Sequence, residues 1–204
     1  MRVSILNQTY SALRRTRAGI LIIATIYAVS LAGGVIMAHR GNRFALAYRD
    51  SVVARAHRVD PAARANDAGS PGLAAAIDFS RNLGLAGIPD TIGGLTLVLP
   101  VVFASYRGWV GGIVSVDRNH ESRLRRMRPA VYYVVTLALQ LSAFTLAGGA
   151  GLHLGWAFVR KRGPFVGPAW FRLPKPALVD VAWLYLLIVP FFALGSLWEY
   201  FWPS

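Results

Sequence analysis

Four side chains with chemistry of their own fall inside or at the rim of apolar runs: Asn82, Asp90, Gln140 and Glu199. A carboxylate at membrane depth faces a partner or a cavity, where it can hold a proton or a cation. Glu199, after the Gly195-Ser196 pair near the end of the last run, also fits the plainer role of a carboxylate reaching for the headgroup layer. Gln140 lies deeper, within the small-residue run 137–155, where its amide can bond to a neighbouring helix at a gain of about 0.6 to 2 kcal/mol. Asp90 follows Pro89 and suits an N-cap for a helix starting at Thr91, with ion binding as the other reading. His153 stands beside glycines without a second histidine, so metal or haem ligation lacks a ligand set. Ser142 and His153 are about three helical turns apart and do not meet as a catalytic pair. No phosphate-binding glycine-lysine loop, zinc-protease helix motif or GxSxG elbow occurs. The expectation is a protein without catalytic residues, metal ligands or cofactor.

Composition says what surrounds these groups. Hydrophobic residues make up 55% of the 204, charged residues 15%, and the mean hydropathy is +0.45. That balance suits several membrane spans joined by charged loops. The formal net charge of +13 comes almost wholly from arginine in the gaps between apolar segments. Anionic lipid headgroups are the partner this placement fits, and nucleic acid is not. The chain has no cysteine, which excludes disulfides and thiolate chemistry.

The elements that must position the polar groups follow from hydropathy and breakers. Residues 1–17 read as a basic lead and 18–204 as one membrane domain. Spans are expected at about 18–38, 85–116, 130–152 and 179–202, and an amphipathic helix at about 42–58, ended by Asp60-Pro61. Ile88-Pro89-Asp90 interrupts a helix that starts near Leu73, so 85–116 is either one kinked span or a span with a re-entrant piece. Small residues recur at four-residue spacing at Ala24, Ala28 and Ala32, at Ser30, Gly34 and Ala38, at Gly108 and Gly112, and at Ala147, Gly151 and Gly155. Such ridges let helix backbones approach closely. Trp170 and Phe171 suit an interfacial connector, and Trp198, Tyr200, Phe201 and Trp202 an aromatic belt. Four spans put both chain ends on one side. A cytoplasmic N-terminus then places the basic 117–128 loop inside as well. The fold class is all-α, a polytopic membrane helix bundle of about four spans.

From about residue 79 to 202 the chain resembles the stage II sporulation protein M family of integral membrane proteins. Phe79 and Asn82 followed by GLAGIPDTIGGLTLVLP match the start of the family pattern, and Arg107-Gly108 with Gly111-Gly112 match its next element loosely. Gln140-Leu141-Ser142-Ala143, then Ala147 through Gly155, match its best-marked block, and Glu199 matches a glutamate in the last span. Two departures stand out: Gln140 replaces the family's glutamate, and the glycine-histidine-glycine before it is missing. The resemblance implies a membrane scaffold, as the namesake is for peptidoglycan hydrolases during engulfment. It also implies an ATPase partner, since relatives lie beside genes for ABC transporters or AAA ATPases.

The expected function is thus a non-catalytic subunit or scaffold of a bacterial inner-membrane complex, homo- or hetero-oligomeric, with an ABC-type transporter as one possible partner. The alternatives are a permease for a lipid or hydrophobic solute, or a structural subunit of a pigment or respiratory complex.

Overall fold

A computed structural model describes residues 4–161, 163–168 and 172–202. Helix α1 runs unbroken over Ile5–His39, so the basic lead and the first apolar run form one helix about 52 Å long. Nothing between them, neither proline nor glycine, breaks the ladder before Gly19. A turn at Gly41 leads into α2, Arg43–Val59, where Asn42 caps the first turn by accepting from the Ala45 amide at 3.1 Å. Asp60 ends α2 and caps α3, Pro61–Asp67, through the Ala62 amide at 2.9 Å.

The stretch from Pro71 onward departs most from expectation. Helix α4, Pro71–Arg81, continues through a π turn, Asn82–Gly87, into α5, Ile88–Gly93. Pro89 does not interrupt it. A proline removes one N–H and crowds the carbonyl a turn earlier, and the wider π turn just ahead of it absorbs both defects. The true break comes later. A 3-10 turn, Gly94–Thr96, ends at Leu97 in the left-handed region, φ 60°, and α6, Leu99–Ile113, runs back. The segment is therefore a folded-back hairpin and not a single kinked span. Helix α6, at about 22 Å, is shorter than a bilayer core.

After a loop with a 3-10 turn at Arg123–Arg125, α7 spans Met127–Val159, longer than the expected 130–152. A two-residue β-hairpin follows, Phe165–Val166 (β1) with Leu173–Pro174 (β2), which the all-α expectation omitted. Trp170 and Phe171, expected at headgroup level, lie outside the described residues. Helix α8, Lys175–Phe201, closes the fold and runs straight through Pro190. Trp198 stacks on Trp202 at 4.1 Å and donates to the Tyr132 carbonyl of α7.

Three helices, α1, α7 and α8, are long and apolar enough to cross a membrane. The hairpin arms pack between them. The outward arm is antiparallel to α8, with Asp78 beside Ser196 and Thr91 beside Tyr185, and its tip reaches Gly155 of α7. The returning arm is parallel to α1, with Gly108 on Tyr27 and Gly112 on Val35. Ile23, Ala143, Ala147, Leu184, Ile188 and Phe192 form the centre of the core.

Polarity of the helices corrects one expectation. Arg15 near the start of α1 meets Asp180 near the start of α8, and Leu13 and Ile20 share a groove with Leu187 and Phe191. The two helices are parallel, so the start of α1 and the end of α8 lie at opposite ends of the bundle. His39 at the end of α1 meets Ser115, and His120 meets Asp50. The 117–128 loop therefore sits with α2 at the end away from the N-terminus. A cytoplasmic N-terminus would put that loop outside, and the positive-inside argument for that orientation no longer holds.

Candidate functional site

The four polar residues singled out by sequence fall into two neighbouring clusters, each completed by residues the sequence reading missed. In the first, the Arg107 guanidinium of α6 donates to Asp90 Oδ2 of α5. Asp90 lies within α5 and does not cap it. Its side chain is 3% exposed, and Oδ1 is buried without a hydrogen-bond partner. Arg107 covers the Phe144 ring at 4.2 Å and the Phe103 ring at 5.4 Å. Aromatic faces stabilise a guanidinium where water is scarce. Thr91, next to Asp90, ties three elements together: its Oγ1 bonds to the carbonyls of Gly87 and Ala147, each at 3.1 Å, and to the Tyr185 hydroxyl at 3.0 Å.

In the second cluster, Gln140 of α7 donates from Nε2 to Glu199 Oε2 of α8 at 2.9 Å. Asp78 accepts from Ser196 Oγ at 2.7 Å and from Asn82 Nδ2 at 2.9 Å. Ser196 and Glu199 lie one turn apart on α8, which brings the Asp78 and Glu199 groups into one cluster. Arg107, Thr136, Gln140 and Glu199 line a common cleft of about 420 Å³ that opens toward Arg123 and Tyr132. Asp90 is one residue removed from its wall, behind Arg107. Chemically, the cleft offers a guanidinium, an amide and a carboxylate to one guest. Replacing Gln140 with leucine would leave Glu199 without its donor. We expect Gln140→Leu to destabilise the detergent-solubilised protein by about 1 to 2 kcal/mol, read as a lowered melting temperature.

A third group sits at the opposite end. Arg15 donates to Asp180 from Nη2 at 2.6 Å and from Nε at 3.0 Å, and His153 Nε2 lies 3.2 Å from the same carboxylate. His153 thus has an acidic partner that sequence reading overlooked. Arg107 and Asp180 each carried a signal: each is a lone charge set within an apolar run. Among the described residues, no three histidine or acidic side chains gather into a group that could hold a metal ion.

The small-residue ridges divide. Gly108 and Gly112 lie on α1, where added β-carbons would meet the Tyr27 carbonyl oxygen at 2.9 Å and the Val35 amide at 2.7 Å. Ala147, Gly151 and Gly155 face the outward hairpin arm, with Ala147 fully buried. The Ala24, Ala28 and Ala32 ridge does not pack within the chain: Ala24 is half-buried, and Ala28 and Ala32 are exposed. The α1 face that packs inward carries Tyr27, Gly34 and Ala38 instead, because the glycines of α6 sit there. Ala24 and Ala28 border an apolar groove of about 830 Å³ between α1, α7 and α8.

Long apolar helices seated on one another through glycine, with polar groups paired between them, define an integral membrane protein. The pattern of the family stage II sporulation protein M matches residues 18–204, and the chain belongs to that family. The match extends the resemblance back into α1, to residue 18, beyond the 79–202 stretch that the motifs cover. No curated protein and no solved structure matches the chain.

Proposed function

We propose that this membrane protein is a non-catalytic subunit or scaffold of a larger complex in the bacterial cytoplasmic membrane, with a membrane-bound ATPase such as an ABC-type transporter among its partners. One observation carries this reading: the outward Ala24–Ala28–Ala32 ridge beside an apolar groove of about 830 Å³. In lipid the hydrophobic effect does not join helices, so close approach at small residues does. The inward ridges of the same chain already work that way, at Gly34 against Gly112 and at Gly151 against Thr91. A second transmembrane helix fits the vacant ridge.

The test is recovery of partners with the tagged chain from mildly solubilised membranes, comparing the parent with Ala28→Trp. The parent is expected to bring down other membrane subunits in fixed ratio. Ala28→Trp, which fills the groove's edge without entering the core, is expected to reduce that recovery by about tenfold. Recovery of the parent as a clean monomer would sink the proposal.

A second reading has its own support. The cleft lined by Arg107, Gln140 and Glu199, beside a hairpin whose backbone reverses among the helices, resembles the interrupted segments that line transport sites. On this reading the chain itself forms part of a permeation path for a lipid or another amphiphile with a charged head.

A further inference from the structure

At the end of the bundle that carries α2, arginines converge on a cleft of about 650 Å³. Arg49, Arg118, Arg123, Arg126 and Arg128 line it, together with Tyr132. The loop before α7 supplies Arg118, Arg123 and Arg126, and hydrogen bonds within it fix its shape. The Asp117 carboxylate accepts from the amides of Asn119 at 2.8 Å and Glu121 at 3.0 Å, and these bonds hold it below the usual carboxylate range. The Arg123 amide donates to the Ser115 carbonyl at 2.9 Å, and Ser122 Oγ accepts from the Leu124 amide at 3.3 Å.

Arg49 is the unusual member. Its side chain is only 4% exposed, and among the described residues it has one partner, Asp50, which accepts from Nη1 at 2.8 Å. Nε is buried with no hydrogen-bond partner. His120 shares Asp50, at 3.0 Å, so that carboxylate is divided between two donors. Arg123 lies near Arg49; burial first, and then the Arg49 charge, push its guanidinium below its ordinary value. Among the described residues no carboxylate lies within ion-pair distance of Arg118, Arg123, Arg126 or Arg128. Asp117 and Glu121, the acidic residues of the wall, leave the cleft with a surplus of positive charge. The first turn of α7 adds to it, since no side chain caps that helix at Arg126 and its free amides end here.

A buried guanidinium with an orphaned N–H, beside a second guanidinium, is costly unless an anion joins them. Forked guanidinium donors match the oxygens of a phosphate in particular. We propose that Arg49, Arg123, Arg126 and Arg128 form a binding site for a phosphate-bearing anion. The site shares Val53, Arg123 and Tyr132 with the cleft that leads to Gln140 and Glu199. A headgroup held by the arginines would therefore rest at the mouth of that cleft. The proposal rests on the chain being a membrane protein and is independent of the subunit reading.

The experiment uses the full chain in nanodiscs of phosphatidylcholine with or without phosphatidylglycerol, and in detergent with inorganic phosphate. Retained lipid is read by native mass spectrometry, and phosphate by the shift in melting temperature. The parent is expected to retain phosphatidylglycerol over phosphatidylcholine by about tenfold, the scale of one charge-assisted bond. The double variant Arg126→Gln/Arg128→Gln changes exposed side chains only and is expected to bring that preference to parity. Arg49→Gln is expected to do the same wherever it folds. Arg14→Gln/Arg17→Gln, which alters basic residues at the other end, is expected to keep the preference. If inorganic phosphate stabilises the parent with the same dependence on variants while the lipids are not distinguished, the site takes free phosphate. If all the arginine variants, the control pair included, lose equally, or if neither probe separates the parent from Arg126→Gln/Arg128→Gln, the proposal fails.

Discussion

Gly151→Leu is expected to unseat the hairpin and lower stability by about 3 kcal/mol, the upper range for overpacking a tight interior. A β-carbon at Gly151 would stand 2.7 Å from the Asp90 carbonyl oxygen and 2.8 Å from that of Thr91. Both are main-chain atoms of a helix already fixed by the Thr91 bonds to Ala147 and Tyr185, so no side chain can turn aside to make room. Gly148→Ala serves as the comparison. There the new atom meets only the Ile23 side chain, at 3.4 Å or more. The expected results are a large loss in folded yield and melting temperature in detergent for Gly151→Leu and a small change for Gly148→Ala. Equal behaviour of the two would show that the hairpin does not depend on close approach to α7.

The other large effect lies in the buried ion pair. Asp90→Ala is expected to cost about 3 to 5 kcal/mol, because it leaves the Arg107 guanidinium without its carboxylate in a place water scarcely reaches. Arg107 is 23% exposed and the lost acid only 3%. The paired change Asp90→Leu/Arg107→Leu is expected to recover most of that loss, since an apolar pair of similar volume escapes the desolvation penalty. Thermal denaturation of the three proteins in one detergent decides it. A double variant as unstable as the single one would mean that the cost comes from packing and not from charge.

These expectations show which features are legible along the chain and which are not. Hydropathy and caps mark α2 to within about two residues, because Asn42 and the Asp60-Pro61 step act locally. The long helices show for the same reason: a run of apolar residues has one low-energy form in lipid. Pro89 misleads because a π turn can accommodate it, and Gly93, Gly94 and Pro100 flank the true reversal without fixing it, because the left-handed residue there is Leu97. Spacing identifies small-residue ridges but not their partners. Ala24, Ala28 and Ala32 look like a packing face as good as Ser30, Gly34 and Ala38. Only the position of α6 decides between them. The site is split in the same way. Asp90, Gln140 and Glu199 are visible as polar residues in apolar surroundings. Their pairing with Arg107 across the hairpin, or with each other across 59 residues, is a property of the assembled bundle.

The reversal of the hairpin at Leu97 bears on how the protein is made. The tip at Gly94–Thr96 turns its main chain against Gly151 and Gly155, which lie more than 50 residues further on. The turn bonds its own carbonyls, Gly94 to the Leu97 amide at 2.9 Å and Gly93 to the Thr96 hydroxyl at 2.7 Å, so what α7 adds at the tip is packing and not hydrogen bonds. The returning arm can seat on α1 through Gly108 and Gly112 as soon as it is made, whereas the outward arm gains its close contacts only from α7 and α8. Biogenesis of this chain is therefore not a succession of independent helix insertions. Its middle third takes one arm's seat from the helix before it and the other arm's from the two helices after it, so a polypeptide stopped before α7 would carry a half-packed hairpin.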